Sequence, residues 1–261
     1  MKYAMYQMDI IPGDPEANRD KIKRWVEAIV THEKPDTVVL PEMWTTAYTL
    51  PELDRIAESN GADTIPFLQD LAKSYHINII GGSIANQKDG GIYNTALAMN
   101  REGELVYQYD KIHLVPMLDE PTYLTGGGDK VQIFELDGVK MGLIICYDLR
   151  FPELARKLAL EGVQVLHIVA EWPAARRNHW KHLQIARAIE NQMFVVSCNR
   201  IGHYNDVDFA GSSMVVDPWG DSLVTASADQ EETIVASLSM DDVPKVRQNV
   251  PIFSSRVPGL Y

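Results

Sequence analysis

Three side chains of different chemistry stand where apolar runs of the sequence stop. "DTVVLPE" ends in Glu42, "YQYDK" in Lys111 and "MGLIIC" in Cys146. A thiol needs a group to take its proton before it attacks, and a carboxylate beside an ammonium fills that role. The same ammonium, or a backbone N–H such as that of Tyr147, stabilises the oxyanion that develops in acyl transfer. Taken alone, a cysteine at a strand end is more often a small core residue. Here Asp148, Arg150 and Glu153 follow Cys146 closely, company that a packing residue does not need. A helix expected from Phe151–Pro152 adds the positive end of its dipole, which lowers the pKa of the thiol. Cys198, in "FVVSCNR", has no comparable support and reads as core.

The elements that must position these residues follow from periodicity. Residues 2–10 read as a strand, and Asp14 with Pro15 opens a helix whose Ile22, Trp25, Val26 and Ile29 form one apolar stripe. "DTVVLPE", "INIIGGSIA", "IYNTALAMN", "ELVYQYDKI", "MGLIICY", "VQVLHIVA", "FVVSCNR", "SSMVVDP" and "ETIVASLS" read as further strands. Helices are expected around 64–76, in "PELARKLALEG", and in "RRNHWKHLQIARAIENQM" on Trp180, Leu183, Ala186, Ile189 and Met193. Strands and helices mix throughout, so the fold class is α/β. No linker, charge block or internal repeat divides residues 1–261, which predicts one domain with a short helix and irregular tail from about 241.

Bulk properties remove several classes of function. A net charge of −12 argues against a nucleic-acid partner. No segment approaches the roughly 20 apolar residues of a membrane helix, and the opening residues are too polar for a signal peptide. With two cysteines no disulfide framework is possible, which suits a cytoplasmic setting. His179 and His182 stand three apart on a helix but lack a third ligand motif, "HEKPD" lacks the second His of a zinc-protease pattern, and "TGGGDK" reads as a turn. No G-x-G-x-x-G follows a strand. Neither a metal nor a nucleotide cofactor is expected.

"LPEMWTTAY", "YDKIHLVP" and "CYDLRFPEL" together resemble the three signatures of the nitrilase, or carbon–nitrogen hydrolase, superfamily. The likeness continues through "AEWPAARRNHWKHLQIARAIENQMFVVSCNRIG" and "GSSMVVDPWGD", and so runs through nearly the whole chain. It implies a four-layer α-β-β-α sandwich that forms a homodimer. It also implies roles: Glu42 as general base, Cys146 as nucleophile through a thioester, Lys111 as oxyanion stabiliser, and Glu120 in "VPMLDEPTYLTGG" as the group orienting Lys111 or the attacking water. Within the superfamily the chain is most similar to the ω-amidases of 2-oxoglutaramate. The expected partners are therefore a small amide carrying a distant carboxylate, and water. Arg150 is the expected contact for that carboxylate, with Arg176 and Arg177 as weaker candidates, and Tyr48 and Trp172 as pocket walls. Ala47 departs from the glycine of many relatives, an exchange expected to bear on the pocket wall.

Other readings stay open at this point. Arg150 has Asp148 and Glu153 as alternative ion-pair partners, and Asp148 itself reads as structural. The substrate of a related amidase (an N-carbamoyl compound or deaminated glutathione) or a nitrile would suit the same three residues. A Cys–His hydrolase using His113 or His179 is a separate enzyme reading. A catalytically silent member acting as a binding or assembly protein is a reading of another class.

Overall fold

The computed structural model describes residues 1–260. Two mixed sheets lie face to face. The first runs Glu232–Ser237, Lys2–Gln7, Thr37–Val39, Asn78–Lys88, Gly91–Met99, Leu105–Asp110, with the short Glu58–Ser59 pairing along Asn78–Lys88. The second runs Ser222–Thr225, Met214–Val216, Phe194–Asn199, Val165–Ala170, Val139–Ile145, Phe134–Leu136. Each sheet has three parallel strands at its centre and antiparallel strands outside. Parallel neighbours need long crossovers, and helices supply them. Pro15–His32 and Thr64–Tyr75 serve the first sheet, Pro152–Leu160 and Arg177–Asn191 the second.

The period of two along each strand explains the layering. Tyr3 and Met5 join the core between the sheets, together with Ala96, Ala98, Leu143 and Val169. Their neighbours Ala4, Tyr6, Leu97 and Met99 pack instead against Ile22, Val26, Leu68 and Leu71 of the two outer helices. The result is the expected four-layer α-β-β-α sandwich. Among the described residues no helix is long and apolar enough to cross a membrane.

The first helix forms as its sequence dictates, with Asp14 accepting from the Ala17 N–H at 3.0 Å and Ile22, Val26 and Ile29 buried. Trp25 sits at the edge of that stripe, stacked on Tyr6 at 4.7 Å. Arg177–Asn191 departs from its apolar reading. It buries Trp180, Gln184, Arg187, Ala188 and Asn191, whereas Ile189 is half exposed. The polar residues face inward because backbone carbonyls meet them: Arg187 Nη2 donates to Leu149 O at 2.8 Å, and Gln184 and Asn191 donate to the carbonyls one turn back.

Several short strands escaped the period-two reading. Phe134–Leu136 and Ser222–Thr225 are short edges, and His203–Tyr204 pairs with Val207–Asp208 in a separate small hairpin. The tail begins with helix Asp242–Asn249, which buries Val243 and Val246. Arg247 Nη2 then donates to Val163 O at 2.6 Å, and Phe253 lies between the guanidinium groups of Arg156 and Arg247 at 5.5 and 5.1 Å. The tail thus packs on the body.

Candidate active site

Ligand sites of parallel sheets gather at the carboxyl ends of the strands. Here Glu42 follows Thr37–Val39, Cys146 directly follows Val139–Ile145, and Lys111 directly follows Leu105–Asp110. The first two come from opposite sheets, so the sandwich brings both edges of the site together.

Lys111 is fully buried and sits between two carboxylates, 2.9 Å from Glu42 Oε1 and 2.8 Å from Glu120 Oε1. Its third donor reaches the Tyr48 hydroxyl at 3.1 Å. A buried ammonium is tolerable only with such complete pairing, and the two carboxylates hold its pKa well above the ordinary lysine value. Glu42 Oε1 also accepts from the Tyr48 hydroxyl and Asn94 Nδ2, each at 2.8 Å, and Oε2 accepts from the Glu171 N–H at 2.6 Å. Glu120 Oε2 accepts from the Val115 N–H at 2.7 Å, and its Oε1 is in short contact with the Tyr48 hydroxyl. Burial and the neighbouring Glu42 charge raise the Glu120 pKa even though Lys111 opposes the shift.

Cys146 adjoins this cluster. Burial pushes its thiol well above the ordinary cysteine value; Glu42, its hydrogen-bonding neighbour, pushes the same way, and Lys111 opposes. The expectation of a thiol acidified by a helix dipole is therefore corrected. A turn of 3₁₀ helix, Cys146–Arg150, stands between the thiol and the helix that begins at Pro152. Desolvation outweighs the distant dipole. Cys146 itself has φ +46°, a left-handed backbone that a side chain adopts only where the surroundings impose it. Tyr147 is the second residue of that turn, so its N–H has no partner within it.

Asp148 locks this turn. It is buried and accepts from the Ile145 N–H at 3.2 Å, Tyr109 Oη at 2.8 Å and the His113 N–H at 3.2 Å, while His113 Nδ1 lies 2.8 Å away. His113 also stacks on Phe151 at 3.5 Å.

A cavity of about 110 Å³ opens over the thiol, lined in part by Cys146, Tyr147, Arg150, Trp172 and Arg176. The Arg150 guanidinium lies 4.6 Å from the Trp172 ring centroid, and Nη1 is 3.3 Å from His179 Nδ1. Among the described residues it has no carboxylate partner: Asp148 is committed elsewhere and Glu153 does not reach it. Partial burial and the Arg176 charge lower its pKa, while Tyr147 and Cys146 oppose them. Arg177 lies outside, with Nε on Ala210 O at 3.1 Å.

Trp172 lines the cavity over the thiol. Tyr48 is not simply a wall; its hydroxyl belongs to the Glu42–Lys111–Glu120 cluster. Ala47 is fully buried in the core beneath the helices, away from the cavity over the thiol, and adopts φ +54°. A glycine would hold that backbone without strain.

Several contributors were not singled out from sequence. Asn94 holds Glu42 from mid-strand, where an amide surrounded by apolar residues was a usable signal. The pair Gly81–Gly82 interrupts its strand at a bulge. A Cβ on Gly82 would come within 2.0 Å of Pro41 O, so only glycine lets this strand approach the Glu42 loop. Ser83 Oγ then accepts from the Met43 N–H at 2.9 Å and fastens the loop. Among the described residues no group of three His, Cys, Asp or Glu side chains is arranged to hold a metal.

A four-layer sandwich with cysteine, carboxylate and ammonium converging at one end defines a class of hydrolases acting on carbon–nitrogen bonds. The carbon-nitrogen hydrolase family model matches residues 2–248, and the chain belongs to that family. A 2-oxoglutaramate amidase of Bacillus subtilis is 43% identical over 98% of this chain and 97% of its own. The omega-amidase YafV of Escherichia coli is 36% identical over 96% of this chain and 94% of its own. Among solved structures, a CN-hydrolase superfamily protein of Xanthomonas campestris superposes with a TM-score of 0.91 at 29% identity, covering 98% and 97% of the two chains.

Proposed function

We propose that the protein is an amidase for a short ω-amide bearing a carboxylate at its far end, of the 2-oxoglutaramate or 2-oxosuccinamate type. The observation that carries this reading is Arg150, a guanidinium that shares a small cavity with Cys146 and lacks an acidic partner. Guanidinium pairs bidentately with carboxylate, and Arg176 adds a second positive charge to the same lining. The names of the amidase relatives agree with this choice.

The chemistry follows from the charges. The thiol is protonated at rest, so its proton passes to Glu42 as sulfur attacks the amide carbon. The oxyanion forms against Lys111 and the Tyr147 N–H. Its collapse breaks the C–N bond, and the nitrogen takes the proton from Glu42 and leaves as ammonia. Water then gives a proton to Glu42 and attacks the thioester. Collapse of that second adduct releases the acid and returns the proton to sulfur. Glu120 holds Lys111 in place through both steps. A histidine base has less support, because His113 is bound to Asp148 and His179 lies against Arg150.

The two cysteines are free and buried, which fits the reducing cytoplasm. The half-exposed Ile189, Trp219 and Leu223 offer apolar surface for the homodimer that the family likeness implies. The test of substrate class is ammonia release from 2-oxoglutaramate, glutamine and a neutral amide of similar length. Arg150→Ala should raise KM for the 2-oxo acid about 10–100-fold, the worth of a charged hydrogen bond, and leave the neutral amide unaffected. Equal loss on both substrates, or no preference for the carboxylate in the native enzyme, rejects this substrate class.

A further inference from the structure

The group behind the Glu42 carboxylate is another carboxylic acid. Glu171 directly follows strand Val165–Ala170 and is fully buried. Its N–H is the 2.6 Å donor to Glu42 Oε2, and its own Oε2 meets Arg200 Nη1 at 3.0 Å. Arg200 directly follows the neighbouring strand Phe194–Asn199 and is also fully buried. Its Nε donates to Ile201 O at 2.9 Å, and Nη2 reaches Asp9 Oδ1 and Ile10 O, both at 3.2 Å. The guanidinium plane is covered by Phe209 at 4.3 Å. The pair thus ties residues after two strands of the second sheet to the end of the first strand of the other sheet.

Packing alone leaves two features unexplained. Among the described residues Glu171 Oε1 has no hydrogen-bond partner although it is buried, an expensive arrangement that an apolar side chain would avoid. Glu171 also lies within electrostatic reach of the site it does not line: Glu42 and Lys111 both act on it, with Arg200 the largest charge effect, and its own charge reaches Tyr204. Asp9, beyond Arg200, is half exposed. The Glu42 carboxylate is thus held from behind by the peptide N–H of a residue whose own carboxyl is anchored on Arg200.

We propose that Glu171, held by Arg200, is a positioning residue for Glu42. The contact with Arg200 fixes the Glu171 peptide, whose N–H orients the Glu42 Oε2 carboxylate oxygen. The inference rests on Glu42 being the base. Burial raises the Glu171 pKa to about 8, with Arg200 opposing the shift, so its hold on Arg200 changes within an accessible pH range.

The test is the pH dependence of kcat and KM for ammonia release from 2-oxoglutaramate by the full chain and by Glu171→Gln, Arg200→Lys and Glu42→Gln. The native enzyme should show a step in kcat near pH 8, the value to which Glu171 is raised. Glu171→Gln should abolish the step, the shortfall in kcat reaching on the order of tenfold above it, where native Glu171 is ionised, with KM unchanged. Arg200→Lys keeps the cation but loses the fork, and should move the step to higher pH. It also keeps the proposal testable if Glu171→Gln folds poorly. Absence of the step in the native enzyme, or a step unmoved in both folded variants, overturns the positioning role even where kcat falls. Full activity in Glu42→Gln would instead remove Glu42 as the base. An inactive Glu42→Gln beside a native-like Glu171→Gln would sink this inference alone.

Discussion

The mouth and the middle of the sandwich both bury polar groups, and they treat charge in opposite ways. In the middle, His167 lies between Gly142 O at 3.1 Å and the Tyr3 hydroxyl at 3.2 Å. Burial lowers its pKa to about 4, so it stays neutral. Tyr3 and Cys198 are shifted upward by burial, and Cys198 has only the Tyr6 carbonyl as a polar partner, at 3.2 Å. At the mouth, Lys111 keeps its charge because Glu42 and Glu120 surround it. Burial alone therefore does not distinguish Cys146 from Cys198: both thiols are enclosed and both are raised. The difference lies in the charged partners and in the backbone. Met43, Ala47 and Cys146 adopt left-handed φ around the site, whereas Cys198 stands in a regular parallel strand. Strain of this kind persists where other contacts over-determine the geometry.

The widest separation of the two regions is expected from the cysteines. Cys146→Ala should reduce kcat by on the order of a thousandfold or more while the fold survives. Cys198→Ala should leave kcat near native and cost about 1 kcal/mol of stability. Comparable activity loss in both would erase the distinction. Next comes the middle's dependence on neutrality. A buried histidine with a depressed pKa contributes stability that is complete above the unfolded value of 6.5 and is lost as pH falls toward about 4. The loss should reach about 3 kcal/mol. Denaturant midpoints from pH 7 to 4 should show it, and His167→Gln should flatten that slope; an unchanged slope would assign acid loss elsewhere.

A smaller effect is expected from Glu120→Gln, which keeps the shape around Lys111 but removes one charge. Lys111 retains Glu42, so kcat should fall on the order of tenfold to a hundredfold with KM little changed. A rise in KM alone would make Glu120 a substrate contact instead. The smallest effect is Ala47→Gly. Relief of roughly 1 kcal/mol of left-handed strain is offset by lost methyl burial of about 0.8 kcal/mol and added chain freedom. A net change within about 0.5 kcal/mol is expected, with substrate preference intact. Altered discrimination between 2-oxoglutaramate and a neutral amide would place Ala47 in control of the pocket after all.

Much of this was legible along the chain. Period-two and period-3.6 patterns located the main strands and the first helix, since each is set by which face must be buried. The positions of Glu42, Lys111 and Cys146 at strand ends were visible for the same reason. Short edges such as Phe134–Leu136 have too few residues to show a period. Arg177–Asn191 was misread at Ile189 because its inward polar residues are satisfied by carbonyls from other segments, including Leu149 O.

Residue types and order along the chain determined the α/β class, the three chemically distinct strand ends and the likeness to a family. The tertiary structure alone decided how those ends meet: Lys111 between Glu42 and Glu120, Tyr48 drawn into the cluster, Arg150 left without a carboxylate, and Glu171 placed behind Glu42. Local sequence sets backbone periodicity and cap chemistry over a few residues. Charge pairing, desolvation and the resulting proton affinities depend on distances between segments far apart in the chain, and those exist only once two sheets have packed.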